Sequence, residues 1–131
     1  MSNLIDSMLQ EKKWAVIGAS DKKKRYGYKI YKKLLKHDYE VYAINPGCNE
    51  IEGSKCYKVL ADLPVVVNCI NMVVNPKIAI KVLDSIAEFN IKNVWFQPGS
   101  FNEEVIEKAT SLGLNVINDS CILVELSKKE D

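Results

Sequence analysis

Five short apolar runs, at residues 14–17, 41–44, 65–70, 94–96 and 116–117, alternate with segments of helical periodicity, and this alternation limits the fold more than any other property of the chain. A short continuous apolar run suits a strand covered on both faces. The run at 65–70 is rich in β-branched residues, which favour strands. Between the runs, Tyr26–Lys36 carries Ile30, Leu34 and Leu35 on one stripe, and residues 76–89 carry a broad apolar face behind an Asn75-Pro76 start. Asn90 supplies a stop for that second helix. Ser100 and Glu103 have the spacing of a capping box ahead of a third helix that ends near Leu112-Gly113. Leu4, Ile5, Met8 and Leu9 predict a short amphipathic helix over residues 2–11, and residues 50–57 read as an irregular or small hairpin excursion around Gly53. Strands and helices alternating at this spacing pair in parallel through right-handed crossovers. The expected fold is therefore α/β and Rossmann-like, a doubly wound, mainly parallel sheet of about five strands with helices on both faces.

With 131 residues, 47% hydrophobic and 27% charged, the chain has the size and composition of one globular domain spanning 1–131, with residues 1–12 packed on it as the amino-terminal helix. A formal net charge of +1 argues against a globally basic nucleic-acid binder, although Lys22 to Arg25 and Lys128-Lys129 are local basic clusters. No secretory apolar segment opens the chain and no apolar stretch reaches membrane-spanning length, so a cytoplasmic protein without a membrane partner is expected. Cys48, Cys56, Cys69 and Cys121 form no CxxC pair and have no neighbouring histidine, which indicates neither a zinc site nor a disulfide framework. The single histidine, His37, falls between the first crossover helix and the second strand, at the amino-terminal edge of the sheet, and reads as a solvated helix-end residue.

In an open parallel sheet, ligands bind beyond the carboxyl ends of the strands. The segments there are Gly18-Ala19-Ser20, Asn45-Pro46-Gly47, residues 71–76, Gln97-Pro98-Gly99 and residues 118–121, all small, polar or proline-containing. A buried strand that ends in a Gly/Ser turn and leads into a helix is a common answer to phosphate binding, because backbone N–H groups can face the anion. A phosphorylated small molecule is thus the expected ligand. The first loop departs from the dinucleotide fingerprint G-x-G-x-x-G, with Ser20 and Lys23 at its second and third glycine positions. Neutral Asn45 stands where NAD binding wants an acidic side chain, and no arginine follows for NADP, so nicotinamide cofactors are disfavoured.

Val16-Ile17-Gly18-Ala19-Ser20, Arg25-Tyr26-Gly27, Val41 through Asn45-Pro46, Glu50-Ile51-Glu52-Gly53, Asn75-Pro76, Val94-Trp95-Phe96-Gln97-Pro98-Gly99 and the late Cys121 together resemble the stand-alone CoA-binding proteins. Their domain is similar to the N-terminal CoA-binding domain of the succinyl-CoA synthetase α subunit, and the match runs nearly the full length. The resemblance implies coenzyme A lying across the carboxyl edge of the sheet, with its pyrophosphate at Gly18, Ala19 and Ser20. It implies that Arg25, helped by Lys22, Lys23 and Lys24, meets the phosphates. Arg25 is the one basic residue of the four that matches a family position, and the lysines replace a proline-containing loop. Asn45 and Pro46 would border the adenosine, with Ile70, Val73 and Pro76 as an apolar wall. Gln97, Pro98, Gly99, Asn118 and Cys121 would lie toward the pantetheine arm, which makes Cys121 the thiol best placed to meet that of CoA.

The synthetases of this resemblance carry a phosphorylated histidine on a second domain and need a nucleotide-grasp partner, and these 131 residues match neither. The implied role is a carrier, sensor or redox-linked binder of CoA, an acyl-CoA or CoA disulfide, without a reaction of its own. Two other readings stay open. One is a small NAD(P)-binding oxidoreductase or regulator in the same cleft, for which no acid or base can be named. The other is an acyl-CoA-sensing module that contacts a protein partner through its basic loop. Small domains of this class often pair, which leaves a homodimer as a further expectation.

Overall fold

The structure is a computed structural model and describes residues 3–130. Strands β1 (Lys13–Ile17), β2 (Glu40–Ile44), β3 (Glu50–Ile51), β4 (Ser54–Tyr57), β5 (Cys69–Met72), β6 (Asn93–Phe96) and β7 (Asn115–Ile117) form one sheet in the order β3-β4-β2-β1-β5-β6-β7. Every pairing is parallel except the β3–β4 hairpin. Helices α1 (Leu4–Leu9), α2 (Tyr26–Lys36) and α5 (Ile122–Ser127) cover one face, and α3 (Pro76–Glu88) and α4 (Glu103–Ser111) cover the other. This is the doubly wound, Rossmann-like α/β arrangement. The alternation of side chains along β1 sorts the two cores: Trp14 and Val16 join Ile30, Leu34 and Ile122, while Ala15 and Ile17 join Leu83, Ile86 and Val105. The two buried indoles keep their N–H groups bonded, Trp14 to Glu11 O at 2.9 Å and Trp95 to Ser120 O at 2.8 Å.

The sheet has seven strands where the sequence reading expected about five. Residues 50–57 are a tight hairpin whose central Glu52 and Gly53 both have positive φ, at 49° and 89°, as a two-residue primed turn requires. Its second strand then pairs in parallel with β2, Ala43 against Cys56 and Ile44 against Tyr57. The third apolar run is also displaced. Residues 65–68 precede the strand, because the ladder begins where β1 offers a partner, Trp14 against Cys69, and Val66 is 65% exposed.

The capping box at Ser100 is not used. Gly99, at φ 88°, turns the chain so that the buried Ser100 hydroxyl donates to Gln97 O at 2.6 Å, and Asn102 caps α4 by accepting from Val105 N–H at 2.9 Å. Asn75 caps α3 as expected, accepting from Ile78 N–H at 3.1 Å, and Asn90 ends that helix in the left-handed region at φ 60°. At the amino end, Asn3 caps α1; Ser2, where the sequence reading began this helix, lies outside the described residues. Helix α5 has no counterpart in the sequence reading. His37, expected to be solvated, is half-buried at the end of α2, where its Nε2 lies 2.7 Å from the Glu130 carboxylate. Lys33 meets the same carboxylate at 2.7 Å, and these two bonds hold the Glu130 carboxyl down at about 2. No helix among the described residues is long and apolar enough to cross a membrane.

Candidate functional site

The strand order reverses between the parallel neighbours β1 and β5, from which the sheet grows outward in opposite senses, and the loops that leave their carboxyl ends open a crevice. A polar cleft of ≈ 580 Å³ lies there on the α2 face, with Gly18, Ser20, Arg25, Tyr26, Gly27, Asn45 and Val73 among its lining residues. These seven come from four separate stretches of the sequence reading, at 18–20, 25–27, 45–47 and 71–76. Lys22 lines the cleft where Lys24 does not, and Asp21 is the one carboxylate among the lining residues.

The donors of the cleft follow from how α2 starts. Its N-cap, Arg25, makes no side-chain capping bond, and its first turn holds no acidic residue. The N–H groups that open a helix have no intrahelical partners, so an uncapped start directed at a cleft presents donors and the positive end of the helix dipole. Gly18 N–H is not one of these donors, since it is bonded to Ile44 O at 2.9 Å. Gly18 instead provides room. It holds φ +100°, and a Cβ there would lie 3.0 Å from Val74 Cγ1. Gly27 lets helix and loop touch, for a Cβ at that position would lie 2.0 Å from Gly18 O.

Asn45 joins the two loops: its Nδ2 donates to Ala19 O at 2.7 Å and its Oδ1 accepts from Gly47 N–H at 2.9 Å. Ala19 itself is fully buried behind the cleft. Gly18 and Asn45 also line a second cavity, an apolar slot of ≈ 260 Å³ on the α3 face, walled by Pro46, Leu60, Val74 and Ile78. Lys58, also in the wall of this slot, donates from Nζ to Pro46 O at 3.2 Å. Val74 belongs to the 71–76 segment of the sequence reading, which passed over Lys58 and Ile78 as ligand residues. Ile70, chosen as an apolar wall, is fully buried in the core, and Pro76 sits half-buried at the first position of α3.

The segments expected toward the far end of the ligand lie beside this crevice, at the ends of β6 and β7. Gln97 is fully buried: its Nε2 donates to Asn71 Oδ1 at 2.7 Å and its Oε1 accepts from Ile122 N–H at 3.2 Å. Asn71 Nδ2 has no partner among the described residues. Pro98 and Gly99 are exposed on the following turn, Cys121 is half-buried at the N-cap of α5, and Asn118 borders a shallow depression against α4. Cys69 lies deep in the core, where burial pushes its thiol up to about 12. All four cysteines are free.

A family model described as a CoA binding domain matches residues 12–127. The chain is 28% identical over 130 residues to the α subunit of the ADP-forming acetate–CoA ligase II of Pyrococcus furiosus, covering 91% of this chain and 28% of that subunit. It therefore spans less than a third of that relative. The uncharacterized protein YneT of Bacillus subtilis is 29% identical and matched nearly end to end, over 92% of this chain and 90% of YneT. Among solved structures, a hypothetical protein from Pyrococcus horikoshii superposes with a TM-score of 0.89 at 31% identity, covering 97% of this chain and 89% of that one. A conserved hypothetical protein from Pyrococcus furiosus gives 0.82 at 39% identity, over 87% and 98%.

Proposed function

Because the chain belongs to the CoA-binding domain family, we propose that it binds coenzyme A, or an acylated or disulfide form of it, across the carboxyl edge of the sheet, as a carrier or sensor without a reaction of its own. One observation carries this reading: a polar, cation-rimmed cleft and an apolar slot meet at Gly18 and Asn45. Coenzyme A needs that pairing, since it joins a pyrophosphate to a flat adenine through a ribose that bears a further phosphate. In this reading the pyrophosphate faces the uncapped start of α2 with Arg25 and Lys22, whose side chains enter no ion pair among the described residues. The adenine enters the slot against Pro46, Val74 and Ile78. The ribose then stands at Asn45, and its 3′-phosphate comes to the rim held by Lys58. The pantetheine arm runs along the ends of β5 and β6, past Gln97, Pro98 and Gly99 toward Cys121.

Titration calorimetry of the full chain with CoA, acetyl-CoA, dephospho-CoA, NAD and NADP tests the proposal. CoA is expected to bind more tightly than either nicotinamide dinucleotide, and dephospho-CoA more weakly than CoA. Tighter binding of NAD or NADP would replace this reading with that of a nicotinamide-dependent protein.

A further inference from the structure

Cys48 and Cys56 take no part in the binding described above, yet Cys48 lines the polar cleft and Cys56 stands in the neighbouring β4. Cys48 lies just after the turn of Asn45 and Gly47, and Cys56 lies in β4 behind it. The backbone brings them together. Cys48 N–H donates to Asn45 O at 3.2 Å, the Cys56 thiol points to the same oxygen at 3.8 Å, and Cys56 N–H donates to Asn49 O at 2.9 Å. The Cys48 thiol donates to Glu50 O at 3.3 Å, and it lies near enough to the Cys56 thiol to help push that group's pKa up. Both are nearly enclosed, at 6% and 4% exposure, and Cys48 alone of the two lines the cleft. Their shared acceptor is the carbonyl of Asn45, the residue whose side chain ties the two ligand loops together.

We propose that Cys48 and Cys56 form a redox modification site, a thiol pair that a hydroperoxide entering the cleft converts to an intramolecular disulfide, and that this oxidation weakens nucleotide binding. The second half rests on the coenzyme A reading; the first half does not. The Cys48 thiolate attacks one peroxide oxygen, the O–O bond breaks, and hydroxide leaves to collect a proton, giving a sulfenic acid and water. The Cys56 sulfur then attacks the Cys48 sulfur, the S–O bond breaks, and the hydroxyl departs as water with the Cys56 proton. Two thiols and one hydrogen peroxide thus yield one disulfide and two waters. The order of events follows from position. Cys48 opens to the cleft, whereas burial, reinforced by Cys48 itself, pushes the Cys56 thiol up to about 12 and makes it the protonated resolving partner. The new bond draws Cys48 toward β4 and removes the S–H donors from Asn45 O and Glu50 O, so the 45–48 wall of the cleft shifts. By linkage, a ligand in the cleft covers Cys48 and opposes the oxidation.

The test treats the reduced full chain with hydrogen peroxide, removes the peroxide, alkylates the remaining thiols and maps tryptic peptides without reduction. Trypsin cuts after Lys36, Lys55 and Lys58, so the expected bridge joins peptide 37–55 to peptide 56–58. The linked species is lighter than the sum of the two reduced peptides by about 2 Da, the loss of two hydrogens. The bridge is expected to survive Cys69→Ser and Cys121→Ser and to vanish in Cys48→Ser and Cys56→Ser. Desulfo-coenzyme A, which has no thiol to react, is the binding probe. It is expected to bind the oxidised protein about tenfold more weakly than the reduced protein, to regain its affinity after dithiothreitol, and to slow bridge formation when saturating. A preferential link through Cys69 or Cys121, or Cys48 oxidised to sulfinic acid with no link, overturns the redox site. Equal affinity of the two forms overturns its coupling to the cleft. If reduced protein fails to bind the probe at all, the coenzyme A reading falls while the peptide map still decides the bridge.

Discussion

Replacing Gly27 with alanine tests whether the contact between α2 and the first loop builds the site. The added methyl carbon would lie 2.0 Å from Gly18 O, 2.9 Å from Gly18 C and 3.0 Å from Ala19 Cα, where real Cβ atoms essentially never come within 3.0 Å of a neighbour. All three atoms are backbone, so no side chain can swing aside, and helix and loop must part by about 1 Å. Overpacking of this kind costs about 1–3 kcal/mol. Alanine regains part of up to about 1 kcal/mol of helix propensity, less at the second helical position than in the interior. The net destabilisation is then about 1–2 kcal/mol, which lowers the melting temperature of a domain this size by roughly 3–10 °C. Binding suffers more, because the start of α2 and Arg25 move away from Ser20 together. Loss of one charge-assisted hydrogen bond corresponds to at least about a tenfold fall in CoA affinity. Thermal melts and calorimetry should be run beside Gly47→Ala, another cleft glycine, whose Cβ would meet only Asn45 Oδ1 at an ordinary 3.6 Å and which should melt like the parent. Parent-like melting and CoA affinity in Gly27→Ala would refute the packing argument.

Arg25→Ala should weaken CoA and dephospho-CoA alike by about 1.5–3 kcal/mol, the scale of a lost charge-assisted bond, with no change in the melt; parent-like constants at low and moderate salt would make it solvated surface. Lys58→Ala should instead narrow the gap between CoA and dephospho-CoA, and an unchanged ratio would remove Lys58 from the 3′-phosphate. The Glu130 carboxyl lies below its ordinary value of 4.5, at about 2 in the fold, so its stabilisation is full above pH 4.5 and is lost as pH falls from there toward 2. Urea midpoints measured against pH should therefore fall less steeply over that window in Glu130→Gln than in the parent. Incubation with CoA disulfide should yield a reductant-sensitive CoA adduct at Cys121, formed by thiol exchange; an adduct that persists in Cys121→Ser would place the pantetheine end elsewhere.

What the sequence disclosed, and what it concealed, divides by the range of the interaction. Helix starts and stops at Asn75-Pro76 and Asn90 are decided by a few neighbouring atoms, and they fell where the residues said. The beginning of β5 is different, because Val65 and Val66 have every strand preference but lie ahead of the start of β1 and find no ladder. Ser100 and Asn102 were both eligible caps, and the choice fell to the turn at Gly99, which spends the Ser100 hydroxyl on Gln97 O. Helix α5 escaped notice since its apolar residues, Ile122, Leu123 and Leu126, span barely two turns, too short a window for periodicity to speak.

The same division runs through the site. The glycine loop, Arg25 and Asn45 were legible because each belongs to a local pattern with a physical purpose, and the fold brings them to one cleft. Lys58 had no such pattern. It stands twelve residues beyond Pro46, after a hairpin that the sequence reading left outside the sheet. Once β4 pairs in parallel with β2, with Ile44 against Tyr57 and Asn45 N–H bonded to Tyr57 O at 2.8 Å, the residue after Tyr57 must emerge beside the residues after Ile44. The lysine is thereby delivered to Pro46 O, and a cation reaches the slot from the end of β4. Register, a property of two strands together, thus places a charge that neither segment announces alone.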